Sequence, residues 1–274
     1  MIPKDFIEEW RENAPWIASS QVEQDLIISR ALVDLFSSEL LSQKLAFRGG
    51  TALYKLYSTS SARYSEDIDL VQIEAEPIGT VANTIRKQLD PWLGTPQWKN
   101  GRGCFTLYYR YQAEGPQATR MKLKIEINTR EHFSVRRFSQ QPFSIDSSWF
   151  SGEVPIHTYS FEELIGTKLR ALYQRKKGRD LFDCWYAFTY HDLSELDVVD
   201  IFHHYLEQEG AKVTRALFEQ NFLNKVDSPA FLDDIPQLLS SEYSKKWKVE
   251  EAQDIVLNQL CPLLKGESWK GNSK

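Results

Sequence analysis

This sequence predicts an α+β fold, a mixed sheet with helices, followed by a helical C-terminal lobe, on three observations. Four segments before residue 130 (Leu45–Arg48, Asp67–Ile73, Gly103–Gln112 and Met121–Asn128) read as short strands, the last two rich in aromatic and alternating residues. Residues 20–41 and 77–89 read as helices, the first carrying Val22, Leu26, Ile27, Ala31, Leu32, Leu35, Phe36 and Leu40 at helical spacing. Beyond residue 156 only helical patterns remain. The order helix, strand, helix, strand, helix, strand, strand makes a mixed sheet with helices on one face. The chain therefore divides into residues 1–155, which hold the sheet, and residues 156–274, a helical lobe.

Composition narrows the function before any motif is read. The chain has 274 residues, 42% hydrophobic and 26% charged, as an ordinary globular protein does. Its formal net charge of −5 argues against broad polyanion binding, so a nucleic-acid partner would have to meet a local basic patch. Cys104, Cys184 and Cys261 form no CxxC pair, which speaks against a zinc site and a disulfide framework. His203 and His204 lack a third ligand at metal spacing. The N-terminus is charged early, and no run approaches the roughly 20 apolar residues of a membrane span. A soluble, cytoplasmic protein with no membrane partner is the expectation.

The chemistry begins where the first strand ends. Phe47-Arg48 leads into Gly49-Gly50, a turn whose backbone can approach a ligand, and Thr51-Ala52-Leu53-Tyr54-Lys55-Leu56 opens a short helix. Orphan N–H groups at such a helix start suit a phosphate. Asp67-Ile68-Asp69-Leu70-Val71 then alternates as a strand, sending Asp67 and Asp69 to one face about 6.6 Å apart and Ile68 and Leu70 to the other. Paired carboxylates of this kind are ligands for a hard cation such as Mg2+. Each half alone is weak, since a Gly-Gly pair is usually only a turn and Asp-x-Asp is common on surfaces.

Farther on, Met121–Asn128 puts Leu123, Ile125 and Ile127 on one face and Lys122, Lys124, Glu126 and Asn128 on the other. Lys–Glu pairing on a solvated face explains that pattern as well as a site does. Residues 128–155 read as an irregular loop. Ser160 and Glu163 have the spacing of a capping box, so a helix starts near 161. Gly178 ends or bends that helix, and Arg179–Tyr190 forms the next. Lys168, Arg170, Arg175, Lys176, Lys177 and Arg179 make the densest basic cluster of the chain, although such a run is usually a solvated helix face. Lys168 lies in a mostly apolar stretch, and a structural salt bridge to Asp183 is the reading from residues alone.

In combination, strand, Gly49-Gly50-Thr51-Ala52-Leu53-x-Lys55, helix, then Arg63-x-Ser65-x-Asp67-x-Asp69-Leu70, resemble the entry motif of polymerase-β-like nucleotidyltransferases. The wording resembles more narrowly the AbiEii/AbiGii family of nucleotidyltransferase toxins of type IV toxin–antitoxin and abortive-infection systems. The likeness covers about residues 45–190 and includes Lys168 with Arg179-Asp180-Leu181-Phe182-Asp183, which resembles the family's Lys and Arg-Asp-x-x-Asp segment.

The resemblance implies a minimal nucleotidyltransferase N-lobe and a helical lobe that completes the active-site cleft. Asp67, Asp69, Lys168 and Asp183 would be catalytic. Asp67, Asp69 and Glu126 would hold Mg2+, in a two-metal site that Mn2+ could also fill. Gly49, Gly50, Thr51, Lys55, Arg63 and Ser65 would bind the nucleoside triphosphate, and the basic cluster would face RNA. Transfer of a nucleotide to RNA, at the tRNA 3′ acceptor end, is the implied reaction, held in check by a cognate antitoxin. Transfer to a protein or small-molecule hydroxyl, or a non-catalytic scaffold, are the alternatives.

Overall fold

The computed structural model describes residues 2–58, 61–114 and 119–271. Its contacts separate two units, residues 1–159 and 160–274.

In the first unit, α1 (Lys4–Trp10), α2 (Ser19–Phe36) and α3 (Glu39–Lys44) precede β1 (Leu45–Arg48). A single helix was expected over 20–41; Ser37 and Ser38 break it, Ser38 in extended backbone. After β1 come α4 (Gly49–Ala52), a π-helical turn over Leu53–Tyr57, β2 (Asp67–Gln72) and α5 (Gly79–Leu93). The remainder is strand: β3 (Gln97–Gly101), β4 (Cys104–Gln112), β5 (Arg120–Asn128), β6 (Ser139–Asp146) and β7 (Ser151–Thr158). All seven join one mixed sheet in the order β3-β4-β5-β2-β1-β7-β6, so β2 is central. It runs antiparallel to β1 and parallel to β5.

Ile68, Leu70, Leu107, Leu123, Ile125 and Ile127 are buried with Leu26, Ile27, Ile85 and Leu89 of α2 and α5. Each such side chain contributes roughly 1.5–3 kcal/mol through its burial. This apolar side fixes the register: a one-residue slip of β2 would drive Asp67 and Asp69 into the core.

Residues 128–155 form no simple loop. They contain β6 and most of β7, a hairpin paired from Ser139↔Thr158 to Asp146↔Ser151. Pro142 and Pro155 face each other in it. β6 is an edge strand, where a missing N–H is tolerated, and β7 meets β1 at Phe47↔Thr158, beyond Pro155. β3, exposed throughout, pairs only with β4.

The second unit is helical: α6 (Phe161–Gln174), α7 (Gly178–Tyr190), α8 (Glu195–Gln208), α9 (Arg215–Val226), α10 (Pro229–Leu232), α11 (Ser241–Lys246) and α12 (Val249–Asp254), the last continuing as a π-turn to Leu260. The Ser160 hydroxyl caps α6 by accepting from Glu163 N–H. Gly178 begins α7, and residues 229–263 form only short helical pieces. Among the described residues no helix is long and apolar enough to cross a membrane.

Candidate active site

Asp67 and Asp69 share the face of β2 opposite its core side, both partly exposed, as the alternation requires. In register, Asp67 stands opposite Lys124 of β5, while Asp69 stands between Glu126 of β5 and Arg48 of β1. The approach to β2 is fixed from below by Gln24, buried on α2. Its amide donates to the carbonyls of Glu66 (2.9 Å) and Lys122 (3.1 Å), and Tyr111 donates its hydroxyl to the Gln24 amide oxygen.

The glycine turn abuts this face. Gly49 has φ +80°, a left-handed conformation that costs a residue with a side chain about 1–2 kcal/mol. A Cβ there would lie 2.4 Å from Asp69 Oδ2, and a Cβ on Gly50 would lie 2.5 Å from Arg63 Nη2 and 3.3 Å from Ser65 Oγ. Glycines at both positions are therefore what allow the turn, the Asp69 carboxylate and the Arg63 guanidinium to lie against one another. Arg63 is 2% exposed, lies across the ring of Tyr54 (5.0 Å) and donates to the Tyr64 carbonyl.

Three expected nucleotide contacts have other employment. Thr51 is buried, its Oγ1 2.5 Å from the Asp67 carbonyl and 2.8 Å from Ser65 Oγ. A carbonyl can only accept, so the single Thr51 proton goes to Asp67 O and Ser65 is donor in the other bond. Both hydroxyls thus tie α4 to the start of β2. Lys55 places Nζ 2.6 Å from Asp25 Oδ1 and 3.0 Å from Ser29 Oγ, an attachment to α2. A Lys on the first turn after the glycines cannot be told from a ligand contact in sequence, because its acid lies 30 residues away.

The electrostatics of β2 are unbalanced. Lys124 Nζ lies 3.2 Å from Asp67 Oδ2 and 3.0 Å from Glu126 Oε2, whereas Asp69 has no ion-pair or hydrogen-bond partner among the described residues. Burial, then repulsion from Asp67, raises the Asp69 pKa. Burial also raises that of Asp67, with Lys124 pulling the other way. For Lys124, burial alone would favour the neutral amine, but Asp67, Glu126 and Asp69 outweigh it and hold the ammonium charged.

A divalent cation fits this donor set as far as two hard carboxylate ligands on one face. The expected third ligand, Glu126, adjoins Asp69 in register, yet its carboxylate is engaged by Lys124. Among the described residues no group of three or more His, Cys, Asp or Glu side chains is drawn together to hold a metal. The Lys–Glu pairing that competed with the ligand reading of this strand is present.

In the second unit Lys168, 6% exposed, reaches Asp183 at 2.8 Å and Asp180 at 3.6 Å. Asp180 also accepts two hydrogen bonds from Arg175, at 2.7 and 2.8 Å. Both acids are fully buried at the start of α7. Much of the rest of the basic cluster is paired locally: Arg170 with Glu209, and both Lys177 and Arg179 with Asp234, while Lys176 has no ion pair among the described residues. Local acids thus take up part of the charge that sequence counting finds there.

The sequence profile described as Nucleotidyl transferase AbiEii toxin, Type IV TA system, matches residues 30–255. The chain belongs to this AbiEii family. Its fold resembles that of the nucleotidyltransferase toxin MenT4 from Mycobacterium tuberculosis, at 16% identity and TM-score 0.62, covering 97% of this chain and all of that one. A putative nucleotidyltransferase from H. pylori matches at 19% identity and TM-score 0.50, covering 91% of this chain and all of the other. No curated protein matches by sequence. AbiEii membership makes the chain a nucleotidyltransferase toxin of a toxin–antitoxin system, which implies a nucleoside triphosphate substrate and an antitoxin partner.

Sequence reading missed Gln24, Lys124 and Arg48 as organisers of the AbiEii site. The alternation of β5 places Lys124 on the polar face, and Arg48 is the last residue before the glycines. Arg48 pairs with Glu131 at 2.6 Å and lies over the Tyr159 ring. Nothing local in sequence marks Gln24.

Proposed function

We propose that this chain transfers a nucleotidyl group from a nucleoside triphosphate to an RNA 3′ hydroxyl, with the tRNA acceptor end as the target whose modification blocks translation. The observation that carries the reading is the Asp67–Asp69 pair set against the glycine turn at Gly49. Asp67 and Asp69 would hold Mg2+, in a one- or two-metal site that Mn2+ could also occupy. Bound there, the metal supplies positive charge to the triphosphate oxygens and to the leaving pyrophosphate.

The chain's own residues would act by positioning. Gly49 and Gly50 leave open backbone beside Asp69, where a side chain would obstruct a triphosphate. Arg63, packed on Gly50, supplies fixed positive charge at that turn, and Thr51 and Ser65 hold the turn to β2. In the reaction the RNA hydroxyl oxygen bonds to the α-phosphorus, the bond from that phosphorus to the bridging oxygen breaks, and pyrophosphate leaves with the electron pair while the hydroxyl proton passes to water. Lys168 would be the catalytic cation of the second unit, with Asp183 as the residue that orients it.

The test is incubation with each α-labelled triphosphate and Mg2+, in the presence of total RNA or of RNA-free lysate. Label in an RNA band of tRNA size, lost in Asp67→Asn and Asp69→Asn, is the expected result. Label confined to protein or to small molecules would replace RNA as acceptor; no label in any fraction would refute the reading.

A further inference from the structure

The sheet carries a second feature on the Asp67–Asp69 side. Across β4, β5 and β2 the paired residues form rows: Thr106, Glu126 and Asp69; then Tyr108, Lys124 and Asp67; then Arg110 and Lys122; then Gln112 and Arg120. Register partners share a face, and successive rows are about 6.6 Å apart along the strands. A walk away from the carboxylates therefore meets one half-buried aromatic ring and then three cations. A cleft of about 830 Å3 opens at this end, and Glu66, Arg110, Arg120 and Lys122 are among its lining.

Two physical facts set these cations apart. In a chain of net charge −5, most basic groups of the second unit have found acids, whereas Arg110, Arg120 and Lys122 form no ion pair with any described residue. Moreover, Arg110 and Lys122 stand directly opposite each other, an arrangement that destabilises a strand pair. A fold gains nothing from exposed like charges so arranged, but a polyanion does. Tyr108 lies beside them, with Lys122 Nζ 5.9 Å from its ring centroid.

We infer that this face of β4 and β5 is the platform for the acceptor RNA, gripping a single-stranded 3′ segment whose last hydroxyl is thereby presented to the Asp67–Asp69 site. Arg110, Lys122 and Arg120 would contact successive phosphates, and Tyr108 would stack on an unpaired base. Unstacked bases and a backbone charge recurring every few ångströms match a ring followed by cations at this spacing. The inference rests on RNA being the acceptor, and it moves the RNA contact from the basic cluster of α6 and α7 to the sheet.

The experiment measures fluorescence anisotropy of a short labelled single-stranded RNA with the full chain, without nucleotide or divalent cation, over a range of salt. The variants are Tyr108→Ala, Arg110→Gln/Lys122→Gln and Asp67→Asn/Asp69→Asn, each checked by thermal melting. Tyr108→Ala should weaken binding roughly 5- to 100-fold. Arg110→Gln/Lys122→Gln should lower the slope of log affinity against log salt by about 1.4, at an unchanged or higher melting temperature. A duplex RNA of the same length should bind less tightly than the single strand. The Asp67→Asn/Asp69→Asn variant, which removes two like charges beside the platform, should bind RNA at least as tightly as the wild type, and a loss as large as that of Arg110→Gln/Lys122→Gln would overturn the inference.

Wild-type affinity and salt slope in the Arg110→Gln/Lys122→Gln variant would overturn the inference. These outcomes leave transfer chemistry at Asp67 and Asp69 untouched. Conversely, absence of nucleotide transfer with RNA still held by this face would sink the proposed reaction and not the platform.

Discussion

The acidic residues of β2 are partly exposed and those of α7 fully buried, and the molecule treats them in opposite ways. On α7, Asp180 and Asp183 are matched by Lys168 and Arg175, two carboxylates with two cations at hydrogen-bonding or near-contact distance. On the face around β2, Lys124 pairs with Asp67 and Glu126, while Asp69 forms no ion pair among the described residues and feels Lys124 and Arg48 only at longer range. Balanced charge of the first kind holds a fold together whether or not a ligand arrives. The second kind is tolerated because an incoming cation can supply what the protein withholds. Family motifs mark both regions, so the motif alone does not say which carries chemistry.

The largest effect separating the two regions should come from α7. Removing one partner of a buried pair leaves an uncompensated charge, so Asp183→Ala should destabilise the chain by roughly 3–5 kcal/mol, read from urea unfolding. Removing both charges, in Lys168→Met/Asp183→Leu, should restore most of that loss. If this double variant is stable yet inactive in transfer, the pair serves the reaction as well as the fold.

Next comes Asp69→Asn, which should lower nucleotide transfer by roughly 10^2–10^3-fold or more while leaving the melting temperature unchanged or raised, because it removes a repelled, desolvated charge. A drop in melting temperature as large as that of Asp183→Ala would erase the contrast between the regions.

Gly49→Ala tests the contact between turn and carboxylate. The left-handed backbone and the approach to Asp69 Oδ2 should cost about 1–2 kcal/mol, with a loss of transfer larger than the stability change explains. Gly79→Ala, at a position where a Cβ meets nothing, serves as its control.

The smallest effect concerns Glu23, a carboxylate on the apolar side of the first unit. One oxygen accepts from Glu114 N–H, the other is buried without a partner, and burial raises its pKa. The folded state then binds its proton more readily than the unfolded chain, so stability declines as pH rises from the unfolded value of 4.5 through the raised folded one. Glu23→Gln should remove that residue's share of the decline and stabilise the protein by roughly 1 kcal/mol at neutral pH, seen as a smaller fall of melting temperature with pH than in the wild type.

How much of this was readable in advance follows the reach of each interaction. β2 and the glycine turn were legible because Asp67-Ile68-Asp69-Leu70 alternates cleanly and Gly49-Gly50 precedes it with no competing pattern. The capping of α6 and the Lys168–Asp183 pairing were legible for the same local reason. β6 and β7 were not, since Ser139–Asp146 has only Phe143 and Ile145 as buried apolar residues and Pro142 reads as a strand breaker anywhere but an edge. The structural partners of Lys55 and Thr51 were not legible, because Asp25 and the Asp67 carbonyl reach them only through the fold. The pairing inside the basic cluster was not legible because Glu209 and Asp234 lie 39 and 55–57 residues away in sequence from Arg170, Lys177 and Arg179.

Electron paramagnetic resonance of Mn2+ titrated into the chain with a nucleoside triphosphate tests the central claim most directly, read in the wild type and in Asp67→Asn/Asp69→Asn. The account predicts one or two bound Mn2+ ions in the wild type and none beyond the nucleotide's own in the variant, at matched melting temperatures. Equal Mn2+ binding by both proteins would contradict it.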